Sequence, residues 1–474
     1  MPINDKMFLR RKNEKTIRLY LILATSVFAA DEVKSWLEGL EFKGFAFARY
    51  SGANGVNGYG DRWHYRFKID AKSEEINGYS LTTGLYLNQG SSTPKSSSIT
   101  NGDIQGSQAI AAHNQFPDRF AVAQLYASKN IITDSVKFSA DVGRMNLITL
   151  FTEKDTDVGL GARGSLKFSS VEFGIAFYDS WATNNFAYAF NAMNNKPLAG
   201  SAPANTSWGM GNNLTLVHLK TPKNNKIADL FSVDVSVGNA IGLFDVLAFG
   251  ELRLDLGKSV YILAQGAGAK LNSTPYWQIS ATGNATSSTI NAWENTNTFP
   301  VYGGFDNNNF AKNRGIYNIQ LGAKFGGFSA KLGYLGSFGD GYGVLLASKA
   351  GLNIAGKTWN NNLNSSSEGF SILGSGGREG TSIMVGYVAA ELKITEPLKI
   401  GFDLSYVAGD NNYAYLDVAK IPDLATNAKG IKFFELAPSL SYAFNNKLKA
   451  NFFYAQYLGD VTYGKTRAEI RFDF

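Results

Sequence analysis

The sequence runs to 474 residues, of which 44% are hydrophobic and 13% aromatic, with 50 glycines, no cysteine and a formal net charge of +6. That apolar content excludes a disordered chain, and the lack of cysteine excludes a disulfide scaffold, a thiolate metal site and a cysteine nucleophile. The charge is no nucleic-acid signal. Within residues 1–29, Lys6, Arg10, Arg11, Lys12, Lys15 and Arg18 oppose only Asp5 and Glu14, so a net +2 is left for the rest of the chain and no basic stripe persists there.

Residues 1–29 read as a secretory signal peptide. The basic opening leads into an apolar core, Leu19 to Ala24, and then into Val27-Phe28-Ala29, a cleavage site before Ala30. Residues 30–474 read as one domain. Asp31 to Leu40 suit a short helix or a plug-like segment. After residue 30 no stretch approaches the ~18 apolar residues of a membrane-spanning helix, so a membrane-spanning chain here is a barrel.

Strands begin at Phe45 and run to Tyr50, and a Gly/Asn-rich turn is expected from Gly52 to Gly60. The next run alternates most cleanly. Trp63, Tyr65, Phe67, Ile69 and Ala71 share one face, while His64, Arg66, Lys68, Asp70 and Lys72 share the other. A protein core rejects the charged face and water rejects the aromatic one, whereas lipid outside and water inside satisfy both. Tyr79 to Leu87 supplies the antiparallel partner across an Asn77-Gly78 hairpin turn.

The same alternation returns in Leu252 to Leu256, Ile319 to Phe325, Leu398 to Tyr406 and Leu436 to Phe444. Short turns such as Gly326-Gly327 and Asn445-Asn446 alternate with long Ser/Asn/Gly-rich loops near 89–118, 183–229, 272–313, 339–380 and 409–430. The final strand sets Ala468, Ile470, Phe472 and Phe474 against Arg467, Glu469, Arg471 and Asp473. A soluble edge exposing those rings would aggregate. In a barrel the strand closes the cylinder, and a terminal Phe strand of this form signals to the barrel assembly machinery. The predicted fold class is therefore all-β, a transmembrane antiparallel β-barrel. At roughly 10 residues per strand plus connections it has about 16 to 18 strands, with long outer loops and an aqueous lumen.

Little of the chemistry is catalytic. The three histidines are His64 on a polar strand face and His113 and His218 in loop-like sequence, with no nucleophile elbow nearby, so no enzyme is expected. Turn chemistry explains Gly55, Gly58 and Gly60. Glu153, Asp155 and Asp157, flanked by Arg144 and Arg163, admit two readings: a cation-attracting or calcium-binding acidic ring at a constriction, or a solvated turn. Candidate lumen residues are Arg66, Lys68, Glu251, Arg253, Lys324, Arg467 and Arg471.

Several stretches resemble the major outer membrane porin family of Campylobacter and Helicobacter relatives. They are Trp36 to Tyr50, His64-Tyr65-Arg66, Phe120 to Tyr126, Gly143-Arg144 through Asn146-Leu147-Ile148, and the terminal Leu440 to Phe474 hairpin. The resemblance implies a wide barrel, usually a homotrimer, with an inward-folded constriction loop. It also implies passive diffusion of ions and small hydrophilic solutes with a weak cation preference, in a bilayer of outer-membrane lipid and lipopolysaccharide. Asp157 falls on a family acidic residue near a calcium site and is the candidate metal ligand, with no other cofactor expected. The Gly-rich loop after Leu335 departs from the family pattern. The resulting expectation is an outer-membrane porin. The alternatives are a substrate-specific channel, or a surface adhesin anchored by its barrel.

Overall fold

The computed structural model describes residues 39–474 apart from 56–57, 95–118, 154–156, 184–187, 192–212, 222–226, 228–229, 241–243, 272–310, 348, 361–369, 373–374, 378 and 411–428. The expected signal peptide, the plug-like segment over residues 31–38, His113 and Asp155 lie outside the described residues.

Among the described residues, nineteen strands follow in chain order. The first nine are β1 (Glu41–Gly55), β2 (Gly58–Lys72), β3 (Tyr79–Pro94), β4 (Arg119–Ile132), β5 (Lys137–Asn146), β6 (Val158–Lys167), β7 (Glu172–Thr183), β8 (Tyr188–Asn191) and β9 (Leu214–Lys220). Then come β10 (Phe231–Ala240), β11 (Phe244–Leu256), β12 (Val260–Leu271), β13 (Asn313–Phe325) and β14 (Phe328–Gly339). The last five are β15 (Met384–Lys393), β16 (Leu398–Gly409), β17 (Ile431–Ala443), β18 (Leu448–Gly459) and β19 (Tyr463–Asp473). Each pairs antiparallel with its neighbours, and β1 pairs with β19 from Phe45↔Asp473 to Gly55↔Tyr463. The four-residue β8 borders only the end of β7, while β9 pairs with β7 over Glu172 to Tyr178, so the closed wall has 18 strands. Pairing of β1 with β19 leaves the 18-strand wall without an edge strand, which is the condition for a β-structure in lipid. One rim carries short turns, and there Gly44 and Phe474 exchange backbone hydrogen bonds of 2.9 and 3.0 Å. The opposite rim carries the long loops.

Cross-strand partners share a face, so register assigns every strand residue to the outside or the lumen. Outside lie Trp63, Tyr65, Phe67, Leu252, Ile319, Leu321, Phe402 and Ile470, all exposed, a belt that only lipid can cover. The lumen changes character with depth. Towards the long-loop rim its residues are apolar: Leu247 and Phe249 on β11, Ile316 on β13, Val385 on β15, Val407 on β16 and Phe433 on β17. A polar ring follows, with Gln265, Asn318, Ser405 and Glu435, and charged residues line the half nearer the short turns.

The apolar half is filled by chain. The described residues between β14 and β15 fold into the barrel, so that Tyr342, Val344, Leu345, Leu352, Ile354, Trp359 and Phe370 join those wall residues in one buried cluster. The shorter loop between β5 and β6 contributes Leu147 and Phe151 to the same cluster. Backbone hydrogen bonds tie the two loops together: Leu346 donates to the Phe151 carbonyl at 3.0 Å and Gly351 to the Leu150 carbonyl at 3.0 Å.

Two boundaries differ from the sequence expectation. The Gly52–Gly60 stretch is mostly strand, because glycines extend β1 and β2 with only residues 56–57 between them. The 183–229 stretch, read as one loop, holds the wall strand β9, whose inward-facing Leu214 and Leu216 are apolar because they meet the loop core. The Asn77-Gly78 turn is as expected. Both residues have positive φ, +52° and +80°, the backbone of a type I′ hairpin.

Candidate functional site

The floor of the loop core is residues 351–360, which cross the lumen as a platform whose chain order follows the wall strands. At β12, Gln265 donates to the Gly351 carbonyl at 3.0 Å and accepts from the Asn353 N–H at 2.9 Å. At β13, Asn318 donates to the Asn353 carbonyl at 3.3 Å. At β14, the Lys331 ammonium donates to Asn353 Oδ1 and the Ile354 carbonyl at 2.9 and 3.0 Å. At β16, the Asp403 carboxylate accepts from the Gly356 N–H at 2.9 Å and the Trp359 indole donates to Ser405 Oγ at 3.1 Å. At β17, Glu435 accepts from three consecutive N–H groups: Lys357 at 2.5 Å, Thr358 at 3.0 Å and Trp359 at 2.8 Å. A segment without regular structure is thus satisfied by wall side chains, as buried backbone must be.

Beneath the platform lies a cavity of about 730 Å³ that reaches the short turn between β11 and β12. The wall brings Arg253, Lys258, Lys324, Lys331 and Arg467 to it, and the platform side brings Lys349 and Lys357. Its acidic lining residues are Asp255, Glu391 and Asp403, and each is already engaged: Asp255 by Arg253 at 3.0 Å, Glu391 by Lys399 at 2.8 Å, Asp403 by Gly356 and, at 3.5 Å, by Lys357. Seven cations against three paired carboxylates make the cavity electropositive, and low-dielectric walls focus that field on entering solutes. Aromatic plates orient two of the guanidiniums. Arg253 stacks 3.7 Å above the Tyr261 ring, and Arg467 lies 5.3 Å from the Phe453 centroid. Tyr261 has room because it crosses Gly322, where a Cβ would fall 2.1 Å from the ring. Outside the membrane-spanning strands, burial followed by the Lys357 charge holds the Lys349 ammonium below the ordinary lysine range.

A second cavity of about 170 Å³ lies in the wall between β5 and β9. There Arg163 donates to Asp141 at 2.6 Å and to the Asn146 carbonyl at 2.9 Å. Glu172 meets Lys220 at 2.9 Å and His218 at 3.6 Å. Its charges pair off, leaving no surplus of either sign among its acids and its arginine and lysine.

The fold that carries these cavities matches known structures. Acinetobacter baumannii OccAB2 superposes with a TM-score of 0.56 at 10% identity, covering 93% of this chain and 99% of that one. Pseudomonas aeruginosa OccK2 (OpdF) in complex with glucuronate gives 0.53 at 10%, covering 93% and 97%. Pseudomonas aeruginosa OpdK with vanillate gives 0.54 at 11%, covering 92% and 99%. This is an outer-membrane porin fold. No family model matches the sequence, and no curated protein does. The matched structures come from Pseudomonas and Acinetobacter and share the outer-membrane porin fold; they are not of the Campylobacter and Helicobacter type that the resemblance named.

The sequence-derived site residues fall in different places. Arg66, Lys68, Glu251, Arg253, Lys324, Arg467 and Arg471 all lie on the lumen face by register, and of these Arg253, Lys324 and Arg467 line the larger cavity. Arg163 lines the smaller one. Arg144 pairs in register with Leu125 and Leu160, both on the outward face, so it does not belong to an inward constriction. Asp157 is fully buried in the β5–β6 loop, where its carboxylate accepts from the Glu153 N–H at 2.8 Å and its own N–H bonds the Glu153 carbonyl at 3.0 Å. This local turn uses the carboxylate that calcium would need, and among the described residues no group of three His, Asp or Glu could hold a metal ion. Glu153 itself is exposed.

Lys331, Lys349, Lys357 and Glu435 were not among the expected site residues. Lys331 and Glu435 were readable, since both sit on the polar face of an alternating strand. Lys349 and Lys357 carry no such signal, because a Gly-rich loop has no period to show that it turns inward.

Proposed function

We propose that the chain is a channel of the bacterial outer membrane that selects small anionic solutes, carboxylates above all. The carrying observation is the electropositive cavity beneath the platform, with its two plate-mounted guanidiniums. A planar guanidinium held in place binds a carboxylate through two parallel hydrogen bonds, which fits Arg467, and Arg253 by the edge it does not give to Asp255, to that ligand class better than to chloride alone. The glucuronate of one matched structure and the vanillate of another are both carboxylates, which supports the same reading. A substrate-selective channel accounts for an inward loop fastened at five wall strands, β12, β13, β14, β16 and β17, better than a general diffusion pore does. The weak cation preference expected from sequence runs opposite to this charge balance and is replaced by an anion preference. The proposal keeps a non-catalytic barrel, exported through residues 1–29 and assembled as a homotrimer in lipopolysaccharide-containing membrane.

The test is the reversal potential of the refolded protein in a planar bilayer under a salt gradient, followed by titration with glucuronate and with a neutral sugar of the same size. Anion-signed potentials and a current block specific to the carboxylate are the expected result. A cation-signed potential overturns it. Silence from protein shown to be folded in the bilayer would transfer the case to the barrel-anchored adhesin.

A further inference from the structure

The wall residue most heavily engaged by the platform is Glu435, and its role is not that of a lumen charge. It is fully buried. Besides the three N–H groups of Lys357, Thr358 and Trp359, it accepts from the Thr358 hydroxyl at 2.8 Å and the Tyr457 hydroxyl at 2.5 Å. With both hydroxyl protons on the carboxylate, the Thr358 and Tyr457 oxygens also lie against each other, so Glu435 sits among donors from the platform and from β18. A carboxylate receiving five donors is strongly held, and hydrogen bonds to an ionised acceptor are about twice as strong as neutral ones. The next platform contact, Gly356 to Asp403, is made on the adjoining strand, where Asp403 lies opposite Ala437, two residues along from Glu435.

We infer that Glu435 is a positioning residue for anion selection: by clamping residues 357–359 it fixes the basic edge of the cavity, Lys357 and, through the same loop, Lys349. The inference rests on the anion-channel reading and adds to it a prediction with an unexpected sign. Viewed only as a lumen charge, a glutamate opposes anions, and its neutralisation should raise anion preference. Viewed as a clamp, its loss should lower that preference, because the lysines lose their fixed place over the cavity. Neutralisation also reverses the local chemistry. Whichever way it turns, a glutamine amide presents N–H groups either to the Lys357 N–H or to the donors of Thr358, Trp359 and Tyr457, so at least part of the clamp is repelled.

The experiment is Glu435→Gln in the full-length channel, recorded as single channels beside the unmodified protein. The clamp predicts an anion-to-cation permeability ratio reduced by about fivefold, roughly the worth of one unit charge at contact distance in water. It also predicts open-channel current noise from a loosened platform and faster protease cleavage within 351–360. An increased or unchanged ratio with quiet openings overturns it. Noise and cleavage report the clamp whatever the sign of selectivity, so a wild-type channel preferring cations would remove the anion reading while leaving the clamp separately testable. Thr358→Val, which removes one donor and leaves the carboxylate charge in place, covers the case where Glu435→Gln does not fold. It should show the same noise in milder form, and quiet openings from it count against the clamp.

Discussion

At the scale of single residues, the lumen sorts its charges by whether they have partners. Arg49 pairs with Glu469, Lys68 with Asp70 at 3.2 Å and Arg471 with Asp473 at 2.8 Å, so those wall cations are largely compensated. Lys349 and Lys357 differ because the inward loop carries them to the cavity, where Asp403, at 3.5 Å from Lys357, also accepts from the Gly356 N–H. Lys357→Gln should lower anion preference by about fivefold at low salt, with less effect at high salt, where screening takes over. Reversal potentials at two ionic strengths check this, and a loss equal at both would point to altered structure instead of lost charge. Lys349 adds a pH dependence. Its ammonium is held below the ordinary lysine range, so its charge is lost earlier than that of an ordinary lysine as pH rises. Anion preference should therefore start to fall at a lower pH than ordinary lysines would cause, and Lys349→Arg should remove that early phase while keeping the charge. The lysines of the alternating strands could be read from sequence because period two states which way they face. The platform lysines could not, since their direction follows from tertiary hydrogen bonds.

At the scale of elements, the platform shows how an irregular segment becomes rigid. Its sequence, Gly351 to Asn360, has neither strand nor helix period, and it takes its shape from Gln265, Asn318, Asp403, Ser405 and Glu435. In the sequence those five look like residues facing water. They face a loop instead, which is why the apolar half of the lumen was also unreadable: Val385, Val407 and Phe433 make sense inward only once the loop core is known. The one local signature is Gly356, with φ of +95° and a site where a Cβ would fall 2.0 Å from the Trp359 indole nitrogen. Gly356→Ala should strain the backbone, displace Trp359 and cost about 1–3 kcal/mol at this site. The barrel should still fold, since no wall strand is altered. Noisy openings with an unchanged folded mobility on unheated gels are the expected signature, and quiet channels would show that the platform does not need this turn.

At the scale of the whole molecule, the wall was the most legible part, because lipid and water impose opposite demands on alternate residues of each strand. The strand count agrees with the sequence expectation, and the closing pair of β1 with β19 uses the alternation of the terminal strand directly. What composition could not give was how much of the cylinder is filled, since that depends on the loops after β5 and β14 turning inward. The transmembrane placement itself can be tested with two positions of β13. Leu321 faces outward, is 49% exposed and sits mid-strand, whereas Lys324 faces the lumen beside the cavity. If the outward belt meets hydrocarbon, Leu321→Arg should cost about 2–4 kcal/mol of stability in lipid vesicles, the usual charge for a basic side chain near the bilayer midplane. Lys324→Gln should leave that stability almost unchanged and alter selectivity instead. Reversible unfolding in vesicles gives the first number and bilayer recordings give the second. A Leu321→Arg barrel as stable as the original would place the belt in water, and the channel reading would fall with it.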